Sequence, residues 1–136
     1  MIVGIGIDTT EINRFIAWSN FSQKKLLRIF SEQEIIYAFN NSHINKKAER
    51  LAARFAAREA FYKALHQMAP GNTVPLLTLC KKIEVEYKKG MSPQLIVDWD
   101  ALKQYIKNSQ TLPRIKSHLS ITHSKNSATA MVILEQ

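Results

Sequence analysis

The chain has 136 residues, 46% of them hydrophobic, and a net charge of +8. That length buries a core without disulfides, and the single cysteine, Cys80, excludes a disulfide framework within the chain and suits a reducing compartment such as the cytoplasm. The charge calls for an acidic partner, whether nucleic acid, anionic lipid, phosphorylated small molecule or acidic protein, without choosing among them. The apolar start MIVGIGID is short and ends at Asp8, so it reads as a strand rather than a signal peptide or membrane span.

Ile2–Ile7 alternates, with Val3, Ile5 and Ile7 expected on the core face and Gly4, Gly6 and Asp8 on the other. Two glycines weaken a strand unless a backbone or a ligand approaches that face closely. Thr9 and Thr10 are candidate N-caps of a helix through about Trp18, with Ile12, Phe15 and Ile16 inward and Arg14 turned away. Asp8 with Glu11 also fits a capping pair. A second helix is expected over Phe21–Phe30, carrying Lys24, Lys25 and Arg28. Ser31-Glu32-Gln33-Glu34 fits a capping box that opens a third.

After the polar stretch Asn40–Asn45 comes the longest helical signal, which runs to about Gln67. Its centre, LAARFAAREAFYKAL at 51–65, has six alanines and no Gly, Pro or β-branched residue. Leu51, Phe55, Tyr62 and Leu65 form one stripe. Ala52, Ala56, Glu59 and Lys63 form another, in which small residues permit a close approach and a charged pair sits at its mouth. Glu59 and Lys63 also read simply as a solvated i,i+4 ion pair.

Pro70-Gly71-Asn72 ends the helical half. Lys82–Tyr87 and Gln94–Asp98 alternate as a hairpin around Lys89-Gly90, and Asp100–Lys107 reads as a short helix. Ser117–His123 and Ala128–Leu134 read as strands about a turn at Ser124–Ser127. No linker or repeat divides residues 1–136, which read as a single domain. The expected class is α+β, an antiparallel sheet covered by helices.

Three separated segments, GIGIDTTEINRF (4–15), RFAAREAFYKAL (54–65) and SITHSKNSATAMVIL (120–134), together resemble the holo-acyl-carrier-protein synthase family of phosphopantetheinyl transferases, the short trimeric type. Each is weak alone; their order and separations carry the resemblance. There are three departures: Arg58 stands where the family has lysine, His66–Pro70 replaces a Gly-rich loop, and the hairpin turn Gly90–Pro93 is one residue longer.

The resemblance implies a phosphopantetheinyl transferase-like fold and transfer of phosphopantetheine from coenzyme A to a serine of an acidic acyl carrier protein, in support of fatty acid biosynthesis. It also implies Mg²⁺ held by Asp8 and Glu59, with Asp8, Glu59 and Lys63 catalytic. Arg54, Arg58, Lys63, His123 and Ser124 are implied to lie at the nucleotide. A homotrimer in the cytoplasm with sites between subunits is likewise implied. Ser120 is expected to support its strand. The serine's proton acceptor is left open between Glu59 and a metal-bound water. The basic residues Arg14, Lys24, Lys25 and Arg28 are expected to dock the carrier. The competing reading is a basic nucleic-acid-binding α+β module without enzymatic activity, suggested by the net charge and the arginines at 50, 54 and 58.

Overall fold

A computed structural model describes residues 1–107, 112 and 114–136. The fold is α+β. A three-stranded antiparallel sheet has the order β1-β5-β4, formed by β1 (Ile2–Glu11), β5 (Ser127–Glu135) and β4 (Lys116–His123). A separate hairpin pairs β2 (Ile83–Glu86) with β3 (Gln94–Val97). It is tied to the larger sheet where Ser117 Oγ donates to Leu95 O at 2.9 Å. The helices are α1 (Gln23–Leu26), α2 (Glu32–Phe39), α3 (Ile44–Met68), α4 (Leu76–Cys80) and α5 (Trp99–Leu102).

Helix α3 is the axis of the molecule. The sheet lies on one side of it, with α2, α4 and the hairpin on the other, so it is buried nearly all round its middle. Leu51, Ala52, Ala56, Ala57, Ala60, Phe61, Ala64 and Leu65 have no exposed surface. The alanines explain how two layers close on one helix: with only a methyl group at each position, neighbouring backbones come near on both sides.

The glycines of β1 were expected to mark a close approach, and α3 makes it. A Cβ on Gly6 would lie 1.9 Å from Ala60 O, and one on Gly4 would lie 2.3 Å from Ala64 O. The assignment of faces is therefore corrected. The glycine side, continuing through Asp8 and Thr10, is the inner face. Ile5 and Ile7, expected in the core, are 48% and 57% exposed. Hydrophobicity alone favoured the isoleucines, but a helix backbone seats only where side chains are missing.

The expected helix from Thr9 to Trp18 is also corrected. β1 continues to Glu11, paired with Ser127, and Ile12 N–H still donates to Asn126 O. Two 3₁₀ turns, Ile12–Phe15 and Ala17–Asn20, follow. Ladder bonds to β5 claim the backbone that a helix would need, and Asp8 is a strand residue rather than a cap. The expected helix over Phe21–Phe30 is reduced to α1, with Ser22 as its cap. The capping box of α2 is present in both directions: Ser31 N–H donates to Glu34 Oε2, and Glu34 N–H to Ser31 Oγ.

Candidate active site

Asp8 sits on the inner face of β1, three-quarters of the way along the strand, where the glycines have brought α3 close. Lys63 meets it from α3, with Nζ 3.0 Å from Asp8 Oδ1 and 2.8 Å from Ile7 O. The ion pair of Lys63 is thus with the strand and not within the helix. Glu59, one turn earlier on α3, completes the group. Partial burial and then the neighbouring Asp8 carboxylate push its pKa above the usual range, with Lys63 and Arg14 pulling the other way.

Two carboxylates that crowd each other beside an open surface form a donor set suited to a hard divalent cation, which needs only one or two protein carboxylates besides water. Among the described residues no cluster of three or more His, Cys, Asp or Glu side chains makes a closed metal cage. Arg14 lies close enough to this group for its charge to act on Glu59. Its Nη1 is 3.3 Å from Thr10 Oγ1 and its guanidinium lies over Phe15 and Phe55, at 5.7 and 5.9 Å. Lys24, Lys25 and Arg28 are exposed on α1 and the turn after it.

The residues expected at the nucleotide are dispersed. His123 ends β4 on the inner face, in line with Thr10 across β5, and its Nε2 is 3.3 Å from Glu49 Oε1, which Lys46 also contacts. Glu49 and Lys46 line a cavity of about 1020 Å³, together with His43, Lys125 and Asn13. Ser124 closes the β4–β5 turn: its Oγ meets Ser127 Oγ and accepts from the Asn126 and Ser127 N–H groups. Arg54 lies half a turn round α3 from Lys63. It is buried and stacked 4.1 Å from the Tyr37 ring, and it lines a separate cavity of about 410 Å³ with Tyr87 and Lys88.

Arg58 is corrected outright. It is fully buried and every donor is used. Nη1 and Nη2 grip the Glu34 carboxylate at 2.8 and 2.6 Å, and the carbonyls of Ile29, Arg54, Cys80 and Ile83 take the rest. No face is left for a ligand. The same burial removes the main support for the nucleic-acid reading, because the arginine-rich stretch of α3 points into the protein.

Sequence reasoning missed Glu34 and Tyr37, the partners of Arg58 and Arg54, and Gln67, whose Oε1 accepts from Ile5 N–H. Glu34 carried a signal in its capping box, but its second partner is 24 residues away and visible only in three dimensions.

The sequence pattern of the 4'-phosphopantetheinyl transferase superfamily matches residues 4–123. A holo-[acyl-carrier-protein] synthase of Treponema denticola is 38% identical over 136 residues, 99% of each chain. One of Nitratidesulfovibrio vulgaris is 35% identical over the same span, again 99% of each. Among solved structures, a Bacillus anthracis holo-(acyl-carrier-protein) synthase in complex with CoA (3',5'-ADP) is 34% identical. It superposes with a TM-score of 0.68 over 98% of this chain and 96% of that one. A Chronobacterium ammoniagenes ACPS–CoA complex gives 0.75 at 27% identity, over 97% and 96%. With three motif segments converging where β1 meets α3, and similarity running the length of the chain, the protein belongs to the 4'-phosphopantetheinyl transferase superfamily.

Proposed function

We propose that residues 1–136 act as one catalytic domain that moves the 4'-phosphopantetheine arm of coenzyme A onto a serine of an acidic acyl carrier protein, releasing adenosine 3',5'-bisphosphate. The observation that carries this reading is the meeting of Asp8, Glu59 and Lys63 across the β1–α3 seam, within the segments that define the family. In the reaction the serine oxygen bonds to the pantetheine-side phosphorus and the phosphorus–oxygen bond to the nucleotide breaks. Negative charge gathers on the leaving phosphate.

The Lys63 ammonium, held at the seam by Asp8 and Ile7 O, would turn to that charge when substrate is bound. Asp8 and Glu59 would hold Mg²⁺, which supplies charge neutralisation to the phosphates when bound. Glu59, at the same seam, is the side chain that would accept the serine's proton. His123 and the cavity beside it, edged by Lys46 and Lys125, suit the nucleotide's phosphates. The basic residues Arg14, Lys24, Lys25 and Arg28 suit the acidic carrier.

The outer face of the sheet, where Ile5, Ile7 and Met131 are exposed side by side, suits packing against further copies of this chain in a trimer. The setting is a cytoplasmic step in fatty acid biosynthesis. No helix among the described residues is long and apolar enough to cross a membrane.

The test is incubation with apo carrier protein, CoA and Mg²⁺, read by mass spectrometry of the carrier. Wild type should add one phosphopantetheine per carrier, and Asp8→Ala and Glu59→Ala should add none while remaining folded. Undiminished transfer by either variant would remove that residue from the chemistry. Undiminished transfer by wild type in excess chelator would remove the metal.

A further inference from the structure

Among the described residues β1 is an edge strand, with β5 on one side only. An edge strand presents every second residue's N–H and C=O outward. Ile12 N–H points toward the β5 side, donating to Asn126 O at 2.9 Å. Even-numbered residues therefore address β5, and Ile5 and Ile7 address the open edge. Two α3 side chains one helical turn apart occupy it: Lys63 Nζ donates to Ile7 O at 2.8 Å, and Gln67 Oε1 accepts from Ile5 N–H at 2.6 Å. They act as two rungs of a ladder, supplied by a helix instead of a strand. Gly4 and Gly6 make the arrangement possible, because any side chain there would hold α3 too far away for either rung to reach.

We propose that Gln67 is a positioning residue: with Lys63 it clamps the open edge of β1 to α3, and it keeps Asp8 in register with Glu59 when Lys63 turns to a substrate phosphate. The proposal rests on the assignment of transfer to Asp8, Glu59 and Lys63. Gln67 is exposed, so the bond adds little to overall stability, and its value lies in register. Lys63 serves as both clamp and phosphate ligand. If it leaves Ile7 O for the substrate, Gln67 is the remaining side-chain tie between α3 and this edge among the described residues. The clamp also gives a physical reason for the departure at 66–70. A Gly-rich loop there would end the helix early, whereas α3 continues to Met68 and carries Gln67 in line with Lys63.

The experiment compares wild type, Gln67→Ala and Gln67→Glu, the last retaining an acceptor oxygen. Amide exchange at Ile5 is followed by NMR without substrate, and transfer kinetics are measured alongside. In Gln67→Ala, Ile5 exchange should rise about fivefold, the factor that one hydrogen bond of ordinary net strength supplies. Its kcat should fall about three- to tenfold, KM for CoA should stay within twofold, and the melting temperature should move little. Gln67→Glu should keep the Ile5 amide protected. Unchanged Ile5 exchange in Gln67→Ala would overturn the clamp. Faster exchange with unchanged kcat would overturn its role in positioning. Because exchange is read without substrate, it tests the clamp even if Asp8→Ala were to retain transfer, a result that would instead refute the assignment of the site.

Discussion

Replacing Glu34 with glutamine changes almost no volume but should destabilise the protein more than most surface deletions. The Glu34 carboxylate accepts four bonds in a fully buried place. Oε1 takes Arg58 Nη1 at 2.8 Å and Val85 N–H at 3.0 Å, and Oε2 takes Arg58 Nη2 at 2.6 Å and Ser31 N–H at 2.8 Å. Every partner is a donor. Whichever way the glutamine amide is turned, its NH₂ faces two donors, so two bonds are lost and Arg58 keeps a buried charge with no counter-ion. Breaking one side of a buried pair typically costs about 3–5 kcal/mol. For 136 residues the unfolding entropy is about 290 cal/mol/K, so the melting temperature should drop by about 10–17 °C.

Glu34→Leu combined with Arg58→Met removes both charges and should recover part of the loss. It still orphans the Ile29, Cys80 and Ile83 carbonyls and the Val85 N–H, so recovery should be incomplete. Burial pushes the Glu34 carboxyl up, but the charge and bonds of Arg58, with the Ser31 and Val85 amides, outweigh it and hold the pKa below the usual range. With the folded value below the unfolded one, the stabilisation is present above the ordinary carboxylate pKa and is lost as pH falls through the lowered value. Glu34→Gln should flatten that acid limb. Urea titrations from neutral pH downward measure all of this. A loss under about 1 kcal/mol for Glu34→Gln at neutral pH would refute the view that the pair bolts α2 and the hairpin to α3.

Gly6→Ala should cost about 3 kcal/mol and abolish transfer, since its Cβ would meet Ala60 backbone at 1.9 Å. Gly71→Ala has open space around it and should cost only about 1 kcal/mol, for its positive φ; thermal melts separate the two. Glu59 titrates above the usual carboxylate range, so folding stability should fall as pH rises from the ordinary value through the raised one. Mg²⁺ affinity should climb over the same interval, because proton and cation compete. Calorimetry of Mg²⁺ binding without substrate should show this slope in wild type and lose it in Glu59→Gln. Reversing Lys24 and Arg28 to glutamate should raise KM for the carrier and flatten its salt dependence while KM for CoA holds. Arg14 is left in place because it acts on Glu59, and unaltered carrier kinetics would move the docking surface to the lysines at 81–89.

Local chemistry determined much of this protein from sequence alone. The alanine-rich run could only be a helix, and the capping box, the hairpin turn and the alternation of the last two strands followed from residue-level preferences. The spacing of Glu59 and Lys63 followed from the helix period. The family motifs carried Asp8 to the same site.

Tertiary structure decided the rest, because it turned on which backbone groups find partners. Whether isoleucine or glycine faces inward in β1 depended on a helix more than 50 residues away, at Ala60 and Ala64. Whether residues 9–11 coil or extend depended on the ladder to β5. Arg54 and Arg58 have the same charge as Lys63, yet one stacks on an aromatic ring and the other saturates a buried glutamate. A side chain's charge is a property of its residue; the partner that claims the charge is a property of the fold.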